Sequence, residues 1–269
     1  MRRLVPPSVL AATAALLATA PAQAANLVTA CTALDLCYCV NTDYSEAIKA
    51  NVTRVRGLIA SQKAQGKAIG YLSIPLSPAG GGSFDVNQDI AGKVAKRVTA
   101  HFGAKSVFLL NPGDEGGDKM GGASGADYMY MWTQILEGPR GLGDDFDFFY
   151  FTGPTDFAKY FELTGEGDLE TLEAWFDQHL SKEPLKKSVD RGETTKARFR
   201  NYYGLRASVA FSYGSHDEWN IARLINIRRR GAADFGIAEQ LAIFFDGRPQ
   251  SPGAYELVTA AGDAGRCVK

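Results

Sequence analysis

The segment Ser215-His216-Asp217-Glu218 brings an imidazole and two carboxyl groups together within four residues. Histidine exchanges protons near neutral pH, and carboxyl groups serve as general acids or bases. Ser215 and Glu218 also have the spacing of a helix capping box, so helix capping alone would explain both residues. The consecutive Ser, His and Asp do not predict a catalytic triad, because neighbours along a chain point apart.

Polar side chains also follow each of the predicted strands of this chain. In an open parallel sheet, ligands bind beyond the carboxyl ends of the strands. We therefore predict that His216, Asp156 and Glu218 are catalytic and that Ser73, Asn111 and Ser212 bind the ligand. An acid–base site built on His216 requires that His216, Asp156 and Asn111 converge within one pocket.

Two glycine-rich stretches precede predicted helices, where free backbone N–H groups could bind an anion. Residues 80–83 match neither G-x-x-x-x-G-K-[ST] nor G-x-G-x-x-G, and Asp85 would repel a phosphate. Residues 121–127 contain Ser124 and Asp127 at the spacing of a helix cap. Both stretches favour turns, and the sequence identifies no cofactor.

The acidic and cysteine clusters lack the spacing of known metal sites. Residues 114–118 and 144–147 carry carboxylates without the twelve-residue pattern of an EF-hand loop. Cys37 and Cys39 could chelate zinc, but no histidine lies near them and one residue separates them rather than two. We predict no metal site. The aromatic residues between 128 and 151 could stack on a sugar or a base, although a core position is the commoner use of such residues.

Helices are predicted where apolar residues recur every three or four positions. Ile48, Val52, Val55 and Ile59 give this pattern within 44–62. The same pattern, with capping and stop signals, predicts further helices from 85 to about 102, and at 126–136, 156–161, 168–180, 215–229 and 232–245.

Short continuous apolar runs between these helices predict buried strands at 68–74, 107–110, 146–151 and 207–212. Strands that alternate with helices form parallel sheets, and an apolar rather than alternating pattern indicates that both faces are covered. The predicted fold class is α/β: a mostly parallel central sheet of about four or more strands with helices on both faces.

The first 24 residues have the pattern of an export signal. Arg2 and Arg3 precede an apolar run over 9–20, and Ala22-Gln23-Ala24 has the small-x-small pattern of a cleavage site. The run is shorter than the roughly twenty residues that a membrane-spanning helix needs. We expect a signal peptide over 1–24, with a retained anchor or lipid attachment at Cys31 as alternatives. The remainder, 25–269, is predicted to be one α/β domain with a charged surface excursion near 181–200.

All four cysteines follow this predicted signal: Cys31, Cys37, Cys39 and Cys267. An even number of cysteines beyond a signal peptide suggests disulfides in an oxidising compartment. Three pairings are possible; we favour a local bond from Cys31 and a long bond that ties Cys267 to the N-terminal segment. The expected location is the periplasm or the exterior of the cell.

The charge balance argues against a nucleic-acid partner. Loss of Arg2 and Arg3 would lower the basic residues from 29 to 27 against 30 acidic ones, a formal charge near −3. Nucleic-acid binding requires a basic face, and the basic runs at 186–187 and 228–230 are short. We expect a soluble protein without stable membrane insertion after signal cleavage, and a small polar ligand as its partner.

Two functions fit these observations. The first is an enzyme, a hydrolase or a transferase, that acts on a small polar substrate at the carboxyl ends of the strands. The second is a non-catalytic extracytoplasmic protein that binds a ligand or partner in the same crevice.

Overall fold

A computed structural model describes residues 26–115, 120–205, 212–232, 240–259 and 265–268. A five-stranded sheet forms its centre; four strands are parallel and one edge strand is antiparallel. Helices flank this sheet, so the predicted α/β fold class is confirmed. The strands are β1 (Leu27–Cys31), β2 (Cys37–Asn41), β3 (Ala68–Ser73), β4 (Val107–Leu110), β5 (Phe148–Phe151), β6 (Ala242–Phe245) and β7 (Arg248–Pro249).

The helices are α1 (Ser45–Lys63), α2 (Phe84–Phe102), α3 (Pro112–Glu115), α4 (Gly125–Glu137), α5 (Pro154–Phe161), α6 (Asp168–His179), α7 (Leu185–Asp190), α8 (Lys196–Gly204), α9 (Tyr213–Arg230) and α10 (Pro252–Tyr255). Within the described ranges, six helices (α1, α2, α4, α5, α6 and α9) begin and end within two residues of the bounds that the apolar periodicity predicts, and four shorter ones (α3, α7, α8 and α10) are not predicted. The first helix, for example, buries Ile48, Val52, Val55 and Ile59 along one stripe.

The strand order of the central sheet is β4-β3-β5-β6-β7. The chain leaves β3 for β4 on one side and later crosses to β5 on the other side. Such a reversal opens a crevice beyond the carboxyl ends of the strands, where ligands of open α/β sheets bind. The end of β3 is therefore the place in this fold where a site is expected.

Successive residues of each central strand enter different hydrophobic clusters. Tyr71 and Phe149 pack in the cluster that contains residues of α1, α4 and α9. Leu72 and Phe148 pack in the cluster that contains residues of α2, α5 and α6. This alternation follows from the two-residue period of a strand, and it places two helical layers on opposite faces.

A small antiparallel hairpin, β1–β2, carries three of the four cysteines. Cys31 is bonded to Cys37 across the hairpin, and Cys39 is bonded to Cys267. Both favoured bonds, a local one from Cys31 and a long one from Cys267, are present, and the structure identifies their partners as Cys37 and Cys39. The carboxylate of Glu137, in α4, accepts hydrogen bonds from the backbone N–H groups of Ala33 and Leu34, each at 2.9 Å, and so ties the hairpin turn to the domain.

The charged stretch 181–200 contains α7 and the first part of α8. Leu185 and Phe199 from this stretch are fully buried and pack with Phe176 of α6. The stretch thus contributes side chains to the cluster that covers one face of the sheet.

The fourth parallel strand lies at a different place from the one predicted. Residues 207–211 of the predicted strand 207–212 lie outside the described residues, and Ser212 is the N-cap of α9. The observed strand is β6, within the segment 232–245 for which a helix was predicted. That prediction is wrong for β6, because a short apolar run such as 241–245 fits a buried strand as well as a helix turn.

Among the described residues, no helix combines the length and the apolar character that crossing a membrane would require.

Candidate functional site

Glu218 lies in the second turn of α9 and is 7% exposed. The helix begins one residue after Ser212, whose hydroxyl accepts a hydrogen bond from the backbone N–H of Ser215 at 3.1 Å. Ser212, and not Ser215, is therefore the cap. The capping-box interpretation of Ser215 and Glu218 is wrong, and the Glu218 carboxyl is left available for another role.

The strand β3 supplies two polar side chains to this carboxyl. Tyr71 and Ser73 are two residues apart and so point to the same face of the sheet, which is the face that α9 covers. The Tyr71 hydroxyl donates a hydrogen bond of 2.5 Å to Oε1 of Glu218. Within the described part of the chain, Glu218 Oε2 and Ser73 Oγ are both buried and have no hydrogen-bond partner.

Burial raises the pKa of Glu218 to about 7, because the charged form loses its hydration. The hydroxyls of Ser73 and Tyr71 lower this pKa, and the charge of Asp217 raises it. Ser73 is close enough to act on the carboxyl, although its geometry is not that of a hydrogen bond. Tyr71 is fully buried, and its pKa is raised well above the usual value, first by burial and then by Glu218. Near neutral pH, Tyr71 is a neutral donor and Glu218 is close to half protonated.

Glu218 forms part of the wall of a cavity of about 330 Å³ beyond the ends of β3 and β4. This volume lies at the lower end of the range for small-molecule sites. Apolar and aromatic side chains make most of the wall, and hydroxyl groups lie near the start of α9. The described lining residues are Ile74, Leu76, Ser77, Phe84, Pro112, Gly125, Tyr128, Met129, Trp132, Ser212, Gly214, Ser215 and Glu218.

His216 does not line this cavity. Residues two positions apart on a helix project about 200° from each other, so His216 and Glu218 occupy different sides of α9. The backbone carbonyl of His216 accepts a hydrogen bond of 3.0 Å from Thr259 Oγ1, and its ring lies edge-on to Tyr213.

Asp156 lies on the opposite face of the sheet. It is paired with Arg97 of α2 and accepts a hydrogen bond from the Tyr150 hydroxyl at 3.2 Å. It also accepts the backbone N–H of Gly153 at 3.1 Å and so caps α5. Burial raises the pKa of Asp156, although the charge of Arg97 opposes this shift. These contacts give Asp156 a structural role, because they join α2, β5 and α5.

Asn111 is buried at the end of β4, and its side chain is used within its own turn. Its Oδ1 accepts the backbone N–H of Gly113 at 3.0 Å, and its Nδ2 donates to Asp114 at 3.0 Å. The structure therefore does not bring His216, Asp156 and Asn111 together. It does bring together Glu218, Ser73 and Ser212, which the sequence also singles out.

Tyr71 is a site residue that sequence patterns place only within a buried strand. Its partner Glu218 is 147 positions away, so no local pattern links the two. The signal present in the sequence is a polar aromatic residue in an otherwise apolar strand, since a buried Tyr hydroxyl usually has a hydrogen-bond partner.

The residues of the glycine-rich stretch 80–83 pack against other parts of the fold. A Cβ atom on Gly81 would lie 2.9 Å from the Arg198 side chain, and Ser83 is the N-cap of α2. Ser124 and Asp127 form the capping box of α4, as predicted. Among the described residues, no group of three or more His, Cys, Asp or Glu side chains is placed to bind a metal ion.

Comparison with protein-family models, with curated proteins and with solved structures finds no match for this chain. Its function is therefore inferred from the chemistry of the cavity around Glu218.

Proposed function

We propose that the protein is an enzyme, a hydrolase or a transferase, in which Glu218 is the acid–base group. The observation that carries this proposal is a buried carboxyl at the wall of a cavity, with one oxygen held by Tyr71 and the other without a partner among the described residues. A pKa of about 7 lets this carboxyl take and return a proton under neutral conditions. Perturbed carboxyls in clefts are frequent at catalytic sites.

The proton balance of the proposed reaction is simple. The Glu218 carboxylate takes a proton from water, or from an acceptor hydroxyl in a transferase, as that oxygen bonds to the electrophilic centre of the substrate. The protonated carboxyl then gives the proton to the departing group, and Glu218 returns to its starting state. Tyr71 donates to Oε1 throughout, so it orients the carboxyl while the proton is taken and returned.

The residues that line the cavity indicate the size and polarity of the expected substrate. The sequence suggests a small polar substrate, and the volume of about 330 Å³ supports the small size. Side chains such as Leu76, Met129 and Trp132 surround most of this space, so the substrate should carry an apolar part. Its reacting polar group would lie toward Glu218, Ser212 and Ser215.

The proposal is tested by turnover of a substrate panel by the oxidised protein. The panel contains small nitrophenyl esters, amides and glycosides, each with and without an alcohol acceptor. For any substrate that is turned over, Glu218→Gln should lower kcat by about 10²- to 10⁴-fold. His216→Gln is the matched control, because His216 lies on the same helix outside the cavity, and it should retain full turnover.

A non-catalytic ligand-binding function is the second candidate. The observation that favours it is the composition of the described cavity wall, which holds Glu218 but no histidine, cysteine, lysine or second carboxylate. Full turnover by Glu218→Gln would rule out the catalytic role of this residue. A folded wild-type protein that binds ligands but converts none of the panel would favour the second candidate.

We also propose that the protein works in the periplasm or outside the cell, after removal of residues 1–24. The two disulfides support this location, because such bonds persist in oxidising compartments. Cell fractionation with thiol labelling tests the proposal. The expected product begins at Ala25 and has no reactive thiol until it is reduced, whereas four reactive thiols in a cytoplasmic fraction would contradict it.

A further inference from the structure

We infer that the cavity beside Glu218 binds a small amine in its cationic form, with an apolar body of about one ring. This inference rests on the proposed use of the same cavity as a substrate site and specifies the class of ligand. The ammonium group would pair with the Glu218 carboxylate, and its apolar body would lie against Trp132 and Met129.

The first support is the buried carboxyl in the cavity wall. Glu218 is 7% exposed and lines the cavity, and the hydroxyls of Tyr71 and Ser73 both lower its pKa. No cation is among the groups that shift this pKa. A buried carboxylate without a cationic partner is costly, so a ligand that brings a positive charge to it reduces this cost.

The second support is the sign of the charge around the cavity. Asp217 is 4% exposed, and its charge raises the pKa of Glu218, so the two carboxyls act on each other. The start of α9 brings a partial positive charge of roughly one half, which opposes these negative charges without cancelling them. No described residue of the cavity wall is cationic. Glu218 is the charged side chain of the described wall, so an anionic ligand would meet repulsion from it and a cation would meet attraction.

The third support is the nature of the remaining wall. Trp132 and Tyr128 line the same cavity, and aromatic faces attract ligand cations, tryptophan most strongly. Phe84 and Met129 add apolar surface for the body of the ligand. At about 330 Å³, the cavity has room for one ring with a short arm and not for a large molecule.

Binding should depend on pH through Glu218. With a pKa of about 7, the carboxyl is mainly protonated at pH 6 and mainly ionised at pH 8. An alkylammonium group stays charged over this range. Affinity should therefore rise about tenfold from pH 6 to pH 8, in proportion to the ionised fraction. Within the described residues, the titratable groups coupled to Glu218 are Asp217 on the same helix, Tyr71 on β3 and Tyr38 on β2; Tyr128 also lines the cavity.

The test compares three ligands of equal shape and different charge on the full chain: benzylamine, benzyl alcohol and benzoate. Dissociation constants are measured at pH 6 and pH 8 by NMR titration. At pH 8, benzylamine should bind at least about tenfold more tightly than benzyl alcohol and benzoate, since hydrogen bonds to charged partners are the stronger ones. Glu218→Gln should remove both the preference for the amine and its pH dependence, and His216→Gln should keep both.

Equal affinity for the three ligands, preference for benzoate, or no benzylamine binding at about 10 mM would each overturn the inference. The wild-type series answers the question even if a variant fails to fold. Turnover is measured separately. A loss of turnover in Glu218→Gln without a preference for the amine would leave the proposed function standing and remove only this ligand class.

Discussion

The hydroxyl of Tyr71 holds the Glu218 carboxyl by a single hydrogen bond of 2.5 Å. This bond lowers the pKa of Glu218 against the larger effect of burial. Tyr71→Phe should therefore raise that pKa further, by about one to two units, since hydrogen bonds to charged groups contribute roughly 1.5–3 kcal/mol. NMR titration of the labelled carboxyl measures the shift, and the acidic limb of any pH–rate profile should move with it.

Tyr38→Phe is the control for this measurement. Tyr38 is also a buried tyrosine, but its hydroxyl is bonded to Thr133 at 2.7 Å and does not line the cavity. Burial raises the pKa of Tyr38, so this residue stays neutral over the range in which Glu218 titrates, and its removal should leave the pKa of Glu218 where it is. A titration curve that is the same in wild type and Tyr71→Phe would show that the bond to Tyr71 does not tune the carboxyl.

Glu218 should also make the stability of the protein depend on pH. Its pKa is near 4.5 in an unfolded chain and about 7 in the folded protein, so the folded state binds the additional proton. The stability linked to this proton is fully present below pH 4.5 and is lost as pH rises through 7. Glu218→Gln cannot ionise. It should match wild type near pH 4.5 and exceed it at pH 8, by up to about 3 kcal/mol.

Urea unfolding of both proteins at pH 4.5 and pH 8 gives these differences. Burial also raises the pKa values of other carboxyls, such as Glu137 and Asp156. Their contribution to the pH dependence of stability is the same in both proteins, so it cancels when the two are compared at each pH. A stability difference that does not change between the two pH values would mean that Glu218 titrates normally in the folded protein.

At the scale of single residues, the sequence predicts three members of the site, Glu218, Ser73 and Ser212, because each follows or caps a recognisable element. It does not separate Glu218 from His216, which is two positions away, because that choice depends on which side of α9 packs on the sheet. Glu218 lies one turn before the buried Ile221 and Ala222 and so shares their side of the helix. The helical period thus carries a signal for Glu218, but it does not show that this side meets the end of β3.

The strand β3 positions Tyr71 and Ser73. Its Gly70 lets the side chains of Phe148 and Leu109, from the neighbouring strands, lie close to the β3 backbone. A Cβ atom at Gly70 would lie 2.2 Å from the ring of Phe148 and 2.7 Å from the side chain of Leu109. Gly70→Ala should therefore push neighbouring strands apart and destabilise the protein by about 1–3 kcal/mol. Any turnover should fall as well, because Tyr71 is the next residue.

Gly57→Ala is the matched control for this substitution. Gly57 lies on the exposed side of α1, and a Cβ atom there would meet nothing within 4 Å. Alanine should stabilise this helix by about 0.5–1 kcal/mol through its better helix propensity. Urea unfolding of both variants measures the contrast. Equal effects of the two substitutions would mean that β3 does not need the space that Gly70 leaves.

At the scale of elements, the apolar pattern predicts β3, β4, β5 and most helices, because each is a periodic segment bounded by Gly, Pro or capping residues. It misplaces β6, where a run of five apolar residues carries no periodicity to distinguish strand from helix. The neighbours of β6 decide the matter: the backbone of 242–245 pairs with β5 along the sheet. Such pairing joins residues almost a hundred positions apart and leaves no local signal.

At the scale of the whole molecule, the sequence predicts the class of fold and the pattern of the disulfides, a local bond from Cys31 and a long bond from Cys267. Both follow from coarse features, the alternation of strands and helices and the even number of cysteines near the two ends. The strand order β4-β3-β5-β6 is not accessible in this way, since many orders satisfy the same alternation. The crevice at the end of β3 depends on that order, so the cavity could be predicted only as a general location.

The two disulfides should contribute unequally to the stability of the molecule. Cys39–Cys267 joins residues 228 positions apart, and Cys31–Cys37 joins residues six apart. On the chain-entropy model, the loss of conformational entropy raises the free energy of the unfolded chain by about 5 kcal/mol for the long loop and about 2 kcal/mol for the short one. The Cys39→Ser/Cys267→Ser variant should therefore be less stable than the Cys31→Ser/Cys37→Ser variant. Each variant should lose less free energy of unfolding than the model gives for its loop.

Urea unfolding without reductant measures the two double variants against wild type. Replacing both cysteines of a bond avoids the free thiol that a single substitution would leave. The long bond anchors the segment 265–268 to the hairpin, and that hairpin is held to α4 through Glu137 as well. If the Glu137 contacts were the main anchor of the hairpin, the loss of either disulfide would lower the free energy of unfolding by the same amount. Equal costs, or a larger cost for the short bond, would show that the disulfides act through local packing of the hairpin rather than through the entropy of the unfolded chain.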